Sequence, residues 1–305
     1  MPEASDAHDQ LQSPQSDEMK VDPSRAKELV ENLTKITSRI ASVSKGRHVR
    51  LLAVSKLKPA SDVLALHDPS ASQLSQPPTP HLHFGENYAQ ELAHKAAILP
   101  RSIRWHFIGG LQTNKCKDLA KIPNLWSVES VDSIKKADAL QKGRKAFLDS
   151  EAADGRGQQD EEGSRLGIHI QINTSGESNK SGVEPGSDAT ALCRHVLTQC
   201  PQLRLRGLMT IGAIARSVAP SGGGANEDFE CLKQTREQVL RDLKAGAEGQ
   251  EGLGNDVDLE LSMGMSADFE DAIRQGSAEV RVGSQIFGER PSKEDAKAKA
   301  DADSG

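Results

Sequence analysis

The sequence predicts a single (β/α)8 barrel, in which eight parallel strands close into a ring and helices cover its outside. Short apolar segments alternate with helical segments along the chain, and eight is the number of parallel strands that closes into a barrel. The first strand, Leu51-Leu52-Ala53-Val54, is an unbroken apolar run, as expected of a parallel strand with both faces covered. With 305 residues, the chain is also long enough for a barrel of roughly 250 residues and two tails.

The predicted elements begin at Asp22-Pro23-Ser24, which opens a first helix that ends near Gly46. The apolar residues of this helix recur at helical spacing. The predicted strands are residues 49–57, 82–86, 103–108, 125–128, 167–173, 203–211, 258–261 and 280–282. The later helices are predicted over residues 61–67, 89–99, 114–122, 133–151, 189–199, 227–244 and 267–275.

An open, doubly wound sheet is the alternative arrangement of the same elements. Its first strand would be followed by a Gly-x-Gly-x-x-Gly turn that binds a dinucleotide. Lys56 stands at that position instead, so the barrel is the preferred interpretation.

The chain divides into one domain and two tails. We expect a disordered acidic tail over residues 1–21, the barrel over 22–290 and a second disordered tail over 291–305. Four low-complexity stretches interrupt the barrel pattern and are interpreted as surface insertions in loops: 67–81, 154–164, 217–226 and 246–256.

The composition argues against several classes of function. The net charge is −6 and no basic patch is interleaved with aromatic residues, which argues against a nucleic-acid partner. No segment approaches the ~18 consecutive apolar residues of a membrane span, and no signal or transit peptide is indicated. The cysteines show no CxxC pair or metal-ligand spacing, which predicts reduced thiols and no metal site; they are Cys116, Cys193, Cys200 and Cys231. We therefore expect a cytoplasmic protein without membrane contact.

Lys56 is the candidate nucleophile, because it stands at the carboxyl end of the apolar first strand. Apolar neighbours disfavour the charge on an amine and so lower its pKa, which leaves a fraction free to form a Schiff base with an aldehyde. The structural alternative is a lysine that extends from the strand end to solvent. In a barrel, the chemistry gathers at the carboxyl ends of the strands, where Lys56 is predicted to lie.

Small and hydroxyl residues follow the seventh and eighth predicted strands. The first group is Ser262-Met263-Gly264-Met265-Ser266, and the second is Gly283-Ser284 after Arg281. These residues suit a phosphate, because glycine lets backbone amides approach it and a helix N-terminus supplies partial positive charge. The alternative is an N-cap at Ser266 for a helix beginning at Ala267, together with ordinary turn glycines. Both interpretations can hold together.

Seven blocks of the sequence resemble the pyridoxal phosphate homeostasis proteins, the YggS/PROSC family. They occur in the family's order and cover roughly residues 23–290. The blocks are Ala53-Val54-Ser55-Lys56, Phe84-Gly85-Glu86-Asn87-Tyr88, Trp105-His106-Phe107-Ile108-Gly109, Leu111-Gln112-x-Asn114-Lys115, Gly207-Leu208-Met209, Ser262-Met263-Gly264-Met265-Ser266 and Val280-Arg281-Val282-Gly283-Ser284.

The resemblance implies a single barrel of the alanine racemase type that binds pyridoxal 5′-phosphate (PLP). It implies that PLP forms an imine with Lys56, that Arg281 faces the pyridine nitrogen, and that the phosphate lies at the seventh and eighth strands. The implied cofactor-binding residues are Lys56, Asn87, His106, Ser262, Ser266, Arg281, Gly283 and Ser284.

The residue chemistry agrees with the role that the resemblance implies for Arg281. A guanidinium does not give up its proton, so it would keep the pyridine nitrogen an unprotonated acceptor and weaken the ring as an electron sink. The structural alternative for Arg281 is an ion pair with an acidic neighbour. For His106, on an apolar strand, the alternative is a core histidine whose hydrogen bonds are satisfied within the protein.

Two functions from different classes follow. The first is a non-catalytic protein that holds PLP, limits the free aldehyde and can pass PLP to apo-enzymes. The second is an amino-acid racemase, which in related enzymes needs a tyrosine from an additional domain of the partner chain. The only tyrosine here is Tyr88, in the loop after the second strand, so the sequence favours the carrier. A Schiff-base aldolase without cofactor would use the same lysine but would leave the phosphate-binding residues unexplained.

Overall fold

The computed structural model describes residues 19–75, 78–154, 164–177, 180–213, 226–246 and 257–289. Within them, eight parallel strands form a closed barrel in sequence order, as predicted. The strands are β1 Arg50–Val54, β2 His83–Glu86, β3 Arg104–Phe107, β4 Leu125–Val131, β5 Leu166–Gln171, β6 Leu203–Met209, β7 Glu260–Met265 and β8 Glu279–Val282.

Helices cover the outside of the barrel. They are α1 Pro23–Ser44, α2 Ala60–His67, α3 Ala89–Ile98, α4 Thr113–Leu119, α5 Ile134–Ala153, α6 Ser187–Gln199, α7 Glu227–Ala245, α8 Phe269–Arg274 and α9 Ser284–Phe287. In the described part of the chain, no helix combines the length and apolar character that crossing a membrane requires.

The helix α1 precedes the barrel and begins where the sequence predicts. The Asp22 side chain accepts a hydrogen bond of 2.7 Å from the Arg25 amide, and Pro23 occupies the first turn, where its missing N–H costs nothing. One face of α1 is buried against α2, α8 and α9. The helix thus covers the outside of the barrel where the first and last strands meet.

The largest difference from the prediction concerns β7. The sequence predicts that this strand ends at residue 261, but it continues to Met265, so that Ser262 lies within the strand and not in the following loop. Gly264 has a φ of +97°, and the pairing of β7 with β8 shifts register between Ser262 and Met265. The small residues of this segment therefore serve an irregular strand, because backbone pairing outweighs their preference for turns.

The first predicted insertion, residues 67–81, is packed rather than a simple surface loop. It contains a short 3₁₀ helix, Pro69–Ser72, that contacts α1 and α2. The buried His67 ring lies 3.0 Å from the His81 carbonyl oxygen and 2.8 Å from the Ser102 hydroxyl. The other three predicted insertions and both predicted tails fall largely outside the described residues.

The barrel interior is polar, although apolar side chains fill the layer between the strands and the helices. Arg50 donates hydrogen bonds to Glu260 and Glu279, and Arg281 lies next to β7. Three glutamates and three arginines lie in this interior. They are Glu129, Glu260, Glu279, Arg50, Arg206 and Arg281. The interior charges compensate one another, as buried charges must.

Adjacent glycines after β3 provide a test of the packing at the barrel mouth. A Cβ at Gly109 would lie 1.9 Å from the Asn87 carbonyl oxygen, whereas a Cβ at Gly110 would meet nothing within 4 Å. We expect Gly109→Ala to lower the free energy of unfolding by about 1–3 kcal/mol, because the backbone must shift. The matched variant Gly110→Ala should change it by less than about 0.5 kcal/mol. Urea unfolding followed by circular dichroism measures both, and equal values for the two variants would contradict this packing.

Candidate functional site

The candidate site lies at the carboxyl ends of β1 and β8, which are neighbours in the barrel. Leu52 pairs with Arg281, and Ala53 pairs with Val282. A Cβ at Gly283 would lie 3.2 Å from the Val54 carbonyl oxygen, so the chain after β8 packs directly on the end of β1. The two segments that the sequence singles out, one near each end of the barrel, are therefore brought together.

Lys56 lies in the turn that follows β1, two residues beyond the end of the strand, and is half-buried. The Ser55 amide donates to the Gly85 carbonyl at 3.0 Å, and the Lys58 amide donates to the Ser55 carbonyl at 3.1 Å. Leu57 has a φ of 60°, in the left-handed region. The side-chain amine of Lys58 donates to the Glu289 carbonyl at 2.6 Å, so this second lysine is directed to the end of the described chain.

Arg281 is buried in β8 and held by three hydrogen bonds. Its Nη1 donates to the Ser262 carbonyl at 2.9 Å and to the Ser262 hydroxyl at 2.7 Å, and its Nη2 donates to the Thr210 carbonyl at 2.6 Å. Burial lowers the pKa of Arg281, and the carboxylates of Glu129 and Glu279 act in the opposite direction. Among the described residues its bonding partners are hydroxyl and carbonyl oxygens, which differs from the ion pair considered as the alternative.

Ser262 has a different place from the one that the sequence predicts. Its hydroxyl accepts from Arg281 and lies 2.8 Å from Glu279 Oε1 and 3.0 Å from Glu129 Oε2. The prediction that Ser262 follows strand seven is wrong, because β7 extends past it. Its hydroxyl is engaged inside the barrel, where it holds Arg281 in place.

Ser266, Gly283 and Ser284 meet at the barrel mouth, and that these residues bind a phosphate stays a prediction. The Gly283 amide donates to the Ser266 hydroxyl at 3.3 Å, and Ser284 is exposed at the start of α9. The prediction that Ser266 caps the next helix is wrong, because α8 begins at Phe269 with Asp268 before it. The Ser266 hydroxyl instead faces the turn after β8.

Asn87 follows β2 at the same end of the barrel. Its side-chain oxygen is buried and has no hydrogen-bond partner among the described residues. An unpartnered buried oxygen is costly, so this atom fits the edge of a binding site better than a closed core.

His106 lies inside the barrel, completely buried in β3. Its Nδ1 is 2.6 Å from Glu129 Oε1, and its Nε2 is 2.9 Å from Nδ1 of His83. Burial lowers the pKa of His106 to about 3, so the ring is neutral at physiological pH. A neutral ring that donates from Nδ1 to Glu129 accepts at Nε2 from His83. Both nitrogens are thus satisfied by the protein, which agrees with the core interpretation of this residue.

These contacts form a chain of hydrogen bonds across the barrel interior that the sequence analysis missed. It runs from His83 through His106 and Glu129 to Ser262 and Arg281. Polar residues at alternate positions of β7 and β8 were the available signal, because alternate residues of a strand share one face. The predicted seventh and eighth strands, 258–261 and 280–282, leave out Ser262 and Glu279, so the alternation is not visible within their bounds.

Two groups of side chains in the described part of the chain place three metal-ligating atoms within 4.8 Å of one another. They are Asp138 with His195 and Cys200, and His106 with Glu129 and Glu279. In each group a histidine nitrogen lies at hydrogen-bond distance from a carboxylate oxygen, 2.7 Å and 2.6 Å respectively. A hydrogen bond between the histidine and one carboxylate thus joins two of the three members of each group.

Comparison with known proteins places this chain in a family. Residues 30–291 match the family model for the alanine racemase N-terminal domain. The pyridoxal phosphate homeostasis protein of Schizosaccharomyces pombe is 40% identical over 256 residues, which span 84% of this chain and 90% of that protein. Its human counterpart is 39% identical over 246 residues, spanning 79% of this chain and 76% of that protein.

Solved structures of other proteins share the fold of this chain. The structure of PipY from Synechococcus elongatus with PLP bound has a TM-score of 0.58 and 26% identity, covering 85% of this chain and 100% of PipY. Alanine racemase from Corynebacterium glutamicum has a TM-score of 0.55 at 15% identity, covering 90% of this chain and 64% of that enzyme, and so shows a shared fold. On the family match and the curated relatives together, the chain belongs to the pyridoxal phosphate homeostasis protein family, whose barrel is that of the alanine racemase N-terminal domain.

Proposed function

We propose that this protein binds PLP covalently through Lys56 and buffers its supply, without efficient turnover of a substrate. The observation that carries the proposal is the meeting of β1 and β8, which brings Gly283 against Val54, two residues before Lys56. Arg281 is buried in β8 two residues before Gly283, while Ser266 and Ser284 adjoin Gly283. Relatives of this chain are named for PLP homeostasis, and PipY has been solved with PLP bound.

The residues present fit the aldehyde and the phosphate of PLP, and Arg281 fits its pyridine nitrogen. Lys56 would hold the aldehyde end by bonding its amine nitrogen to the aldehyde carbon, with the aldehyde oxygen leaving as water. Hydroxyls of Ser266 and Ser284 and the turn at Gly283 suit the phosphate, since a charged acceptor forms strong bonds with such donors. The side-chain oxygen of Asn87 is buried and has no hydrogen-bond partner within the described ranges, which is consistent with a pocket that a polar ligand completes.

Arg281 would determine what the bound cofactor can do. PLP supplies a ring that withdraws electrons from carbon, most strongly when its pyridine nitrogen is protonated. A guanidinium has five N–H donors and no acceptor, and the three bonds to Ser262 and Thr210 leave donors for a ring nitrogen. A nitrogen that accepts from Arg281 stays unprotonated, which restrains carbanion chemistry.

The racemase alternative needs a second acid or base opposite Lys56. Tyr88, the only tyrosine of the sequence, is 52% exposed at the start of α3. His106, which is buried inside the barrel, has both ring nitrogens engaged by protein groups. These observations support a carrier over a racemase.

A carrier must also release its cargo. The bond between an amine and an aldehyde is reversible in water, so release requires no further reactant. We therefore propose that PLP passes from this protein to apo-enzymes that depend on PLP.

The first prediction concerns the attachment residue. Lys56→Ala should abolish the PLP adduct that borohydride fixes to the protein, because no amine remains at that position. Lys58→Ala is the matched control and should keep the adduct, since the Lys58 amine is directed to the Glu289 carbonyl. Peptide mass spectrometry after reduction identifies the modified residue. An adduct found mainly on another lysine would overturn the assignment.

The second prediction concerns the phosphate. Ser266→Ala or Ser284→Ala removes a hydroxyl donor to a charged acceptor, worth roughly 1.5–3 kcal/mol, or a tenfold to hundredfold weaker affinity for PLP. Affinity for pyridoxal, which lacks the phosphate, should hardly change. Ser42→Ala, in the exposed part of α1, is the control and should leave both affinities unaltered. Equal weakening for the two ligands would reject the phosphate site at these residues.

The third prediction concerns catalysis. The PLP-loaded protein, incubated with L-alanine and other L-amino acids in heavy water, should show little deuterium at Cα and little D-isomer. Racemisation needs a second acid or base, whereas Tyr88 is exposed and both ring nitrogens of His106 are engaged by protein groups. Nuclear magnetic resonance and chiral chromatography measure the two products. Rates on the order of 1 s⁻¹ or faster, lost in Lys56→Ala, would establish the racemase instead.

A further inference from the structure

A buried cluster of two carboxylates and one lysine side chain packs on the outside of the barrel, between α3 and the strands β1 and β2. It contacts the residues on either side of Lys56. Its members are Glu86 at the end of β2, and Glu91 and Lys95 on α3; we call these three residues the α3 clamp. The side chain of Glu86 has no exposed surface, that of Lys95 is 4% exposed and that of Glu91 is 20% exposed.

Lys95 is saturated with hydrogen-bond acceptors. Its Nζ lies 2.8 Å from Glu86 Oε1, 2.7 Å from Glu91 Oε1 and 2.9 Å from the carbonyl oxygen of Ser55. An ammonium has three N–H donors, and these three oxygens use all of them. With all three donors in use, the side chain of Lys95 is held in one orientation.

The clamp holds the main chain on both sides of Lys56. Before Lys56, the Ser55 carbonyl accepts from Lys95, and the Ser55 hydroxyl donates to Glu86 Oε1 at 2.7 Å. After Lys56, the Leu57 amide donates to Glu91 Oε1 at 2.7 Å. A single connected cluster thus fixes both peptide groups that flank the proposed cofactor residue.

The backbone conformation of Leu57 explains why the turn of Lys56 needs these hydrogen bonds. Its φ of 60° lies in the left-handed region, which a residue with a branched side chain occupies only when its surroundings enforce it. The hydrogen bond from its amide to Glu91 supplies such a constraint. Without it, the turn has other conformations available that would point Lys56 elsewhere.

Stability alone is a poor explanation for the clamp. Buried ion clusters lose the solvation of their charges, and apolar residues of similar volume often serve stability as well. Burial raises the pKa of Glu86 to about 7, which reflects that cost. The cluster is directed at the two main-chain groups beside Lys56, so its geometry indicates a role at that residue.

We propose that Glu91 and Lys95, supported by Glu86, are positioning residues that fix the turn of Lys56 and so hold its amine at the cofactor site. This inference rests on the proposed function, because it assumes that Lys56 carries PLP. None of the three clamp residues touches the cofactor in this account; they act through the main chain of residues 55 and 57.

Glu91→Ala is the decisive variant, because the Glu91 carboxylate is partly exposed and water can reach the groups that it leaves. We expect PLP to leave this variant about tenfold faster than the native protein, since one bond to a charged acceptor is lost. The measurement follows the loss of absorbance of the bound cofactor after adding an excess of an aldehyde trap. A second variant, Lys95→Met with Glu86→Gln, removes the buried cation without leaving two unpaired carboxylates and should show the same effect.

Pyridoxine 5′-phosphate separates positioning from general damage. It carries the ring and the phosphate but has no aldehyde, so it needs no bond to Lys56. Its affinity should be the same in Glu91→Ala as in the native protein. Lys145→Met, which breaks an exposed ion pair with Asp149 of the same i,i+4 spacing, is the matched control and should alter neither ligand.

Hydrogen exchange of the protein without PLP tests the clamp independently of binding. The Leu57 amide should be protected in the native protein and should exchange at least about tenfold faster in Glu91→Ala.

The outcomes separate this inference from the proposed function. If the native adduct lies on Lys56 but Glu91→Ala releases PLP at the native rate, the clamp is rejected and the carrier stands. Equal weakening of PLP and pyridoxine 5′-phosphate would also reject it, since that result indicates general damage to the pocket. If the native protein forms no adduct on Lys56, the proposed function itself fails, whatever the hydrogen exchange shows.

Discussion

The pairing of β1 with β8 is the constraint on which the rest of the site depends. These strands lie more than 200 residues apart in sequence, and only closure of the barrel makes them neighbours. Their register sets Leu52 beside Arg281 and brings Gly283 against Val54. A Cβ at position 283 would already be in tight contact with the Val54 carbonyl, so a small residue there allows the two strand ends to approach. The proposed cofactor site is assembled by this closure.

Charged side chains in the barrel interior lose their hydration, and hydrogen bonds hold them in fixed positions. Arg281 is buried, yet its guanidinium is held by Ser262 and the Thr210 carbonyl, while the nearby carboxylates of Glu129 and Glu279 oppose the effect of burial on its pKa. Such a network is satisfied only in one geometry, which favours a fixed orientation of Arg281 over a mobile one. The α3 clamp repeats this principle outside the wall, where it holds the turn of Lys56. Polar networks thus support the proposed site from two sides.

The sequence was sufficient for the barrel and for placing Lys56 at the carboxyl end of β1, because an apolar run and strand–helix alternation are local signals. The predicted first strand, 49–57, is too long, since β1 ends at Val54 and Lys56 lies in the turn after it. The sequence also grouped Ser266 with Gly283 and Ser284, which the structure brings together. It misplaced Ser262, because Gly264 in a left-handed conformation makes an irregular strand look like a loop. The clamp could not be predicted, since the contacts of Glu91 and Lys95 with residues 55 and 57 depend on how α3 packs. Long-range side-chain pairing carries no signature in a single sequence.

The central claim is that Lys56, Arg281 and the turn at Gly283 hold one molecule of PLP. A crystal structure of the protein grown with PLP tests it most directly. The account predicts continuous electron density from Lys56 Nζ to the cofactor, the Arg281 guanidinium at the pyridine nitrogen, and the phosphate among Ser266, Gly283 and Ser284. Density for PLP on another lysine, or a ring nitrogen that faces a carboxylate in place of Arg281, would contradict it.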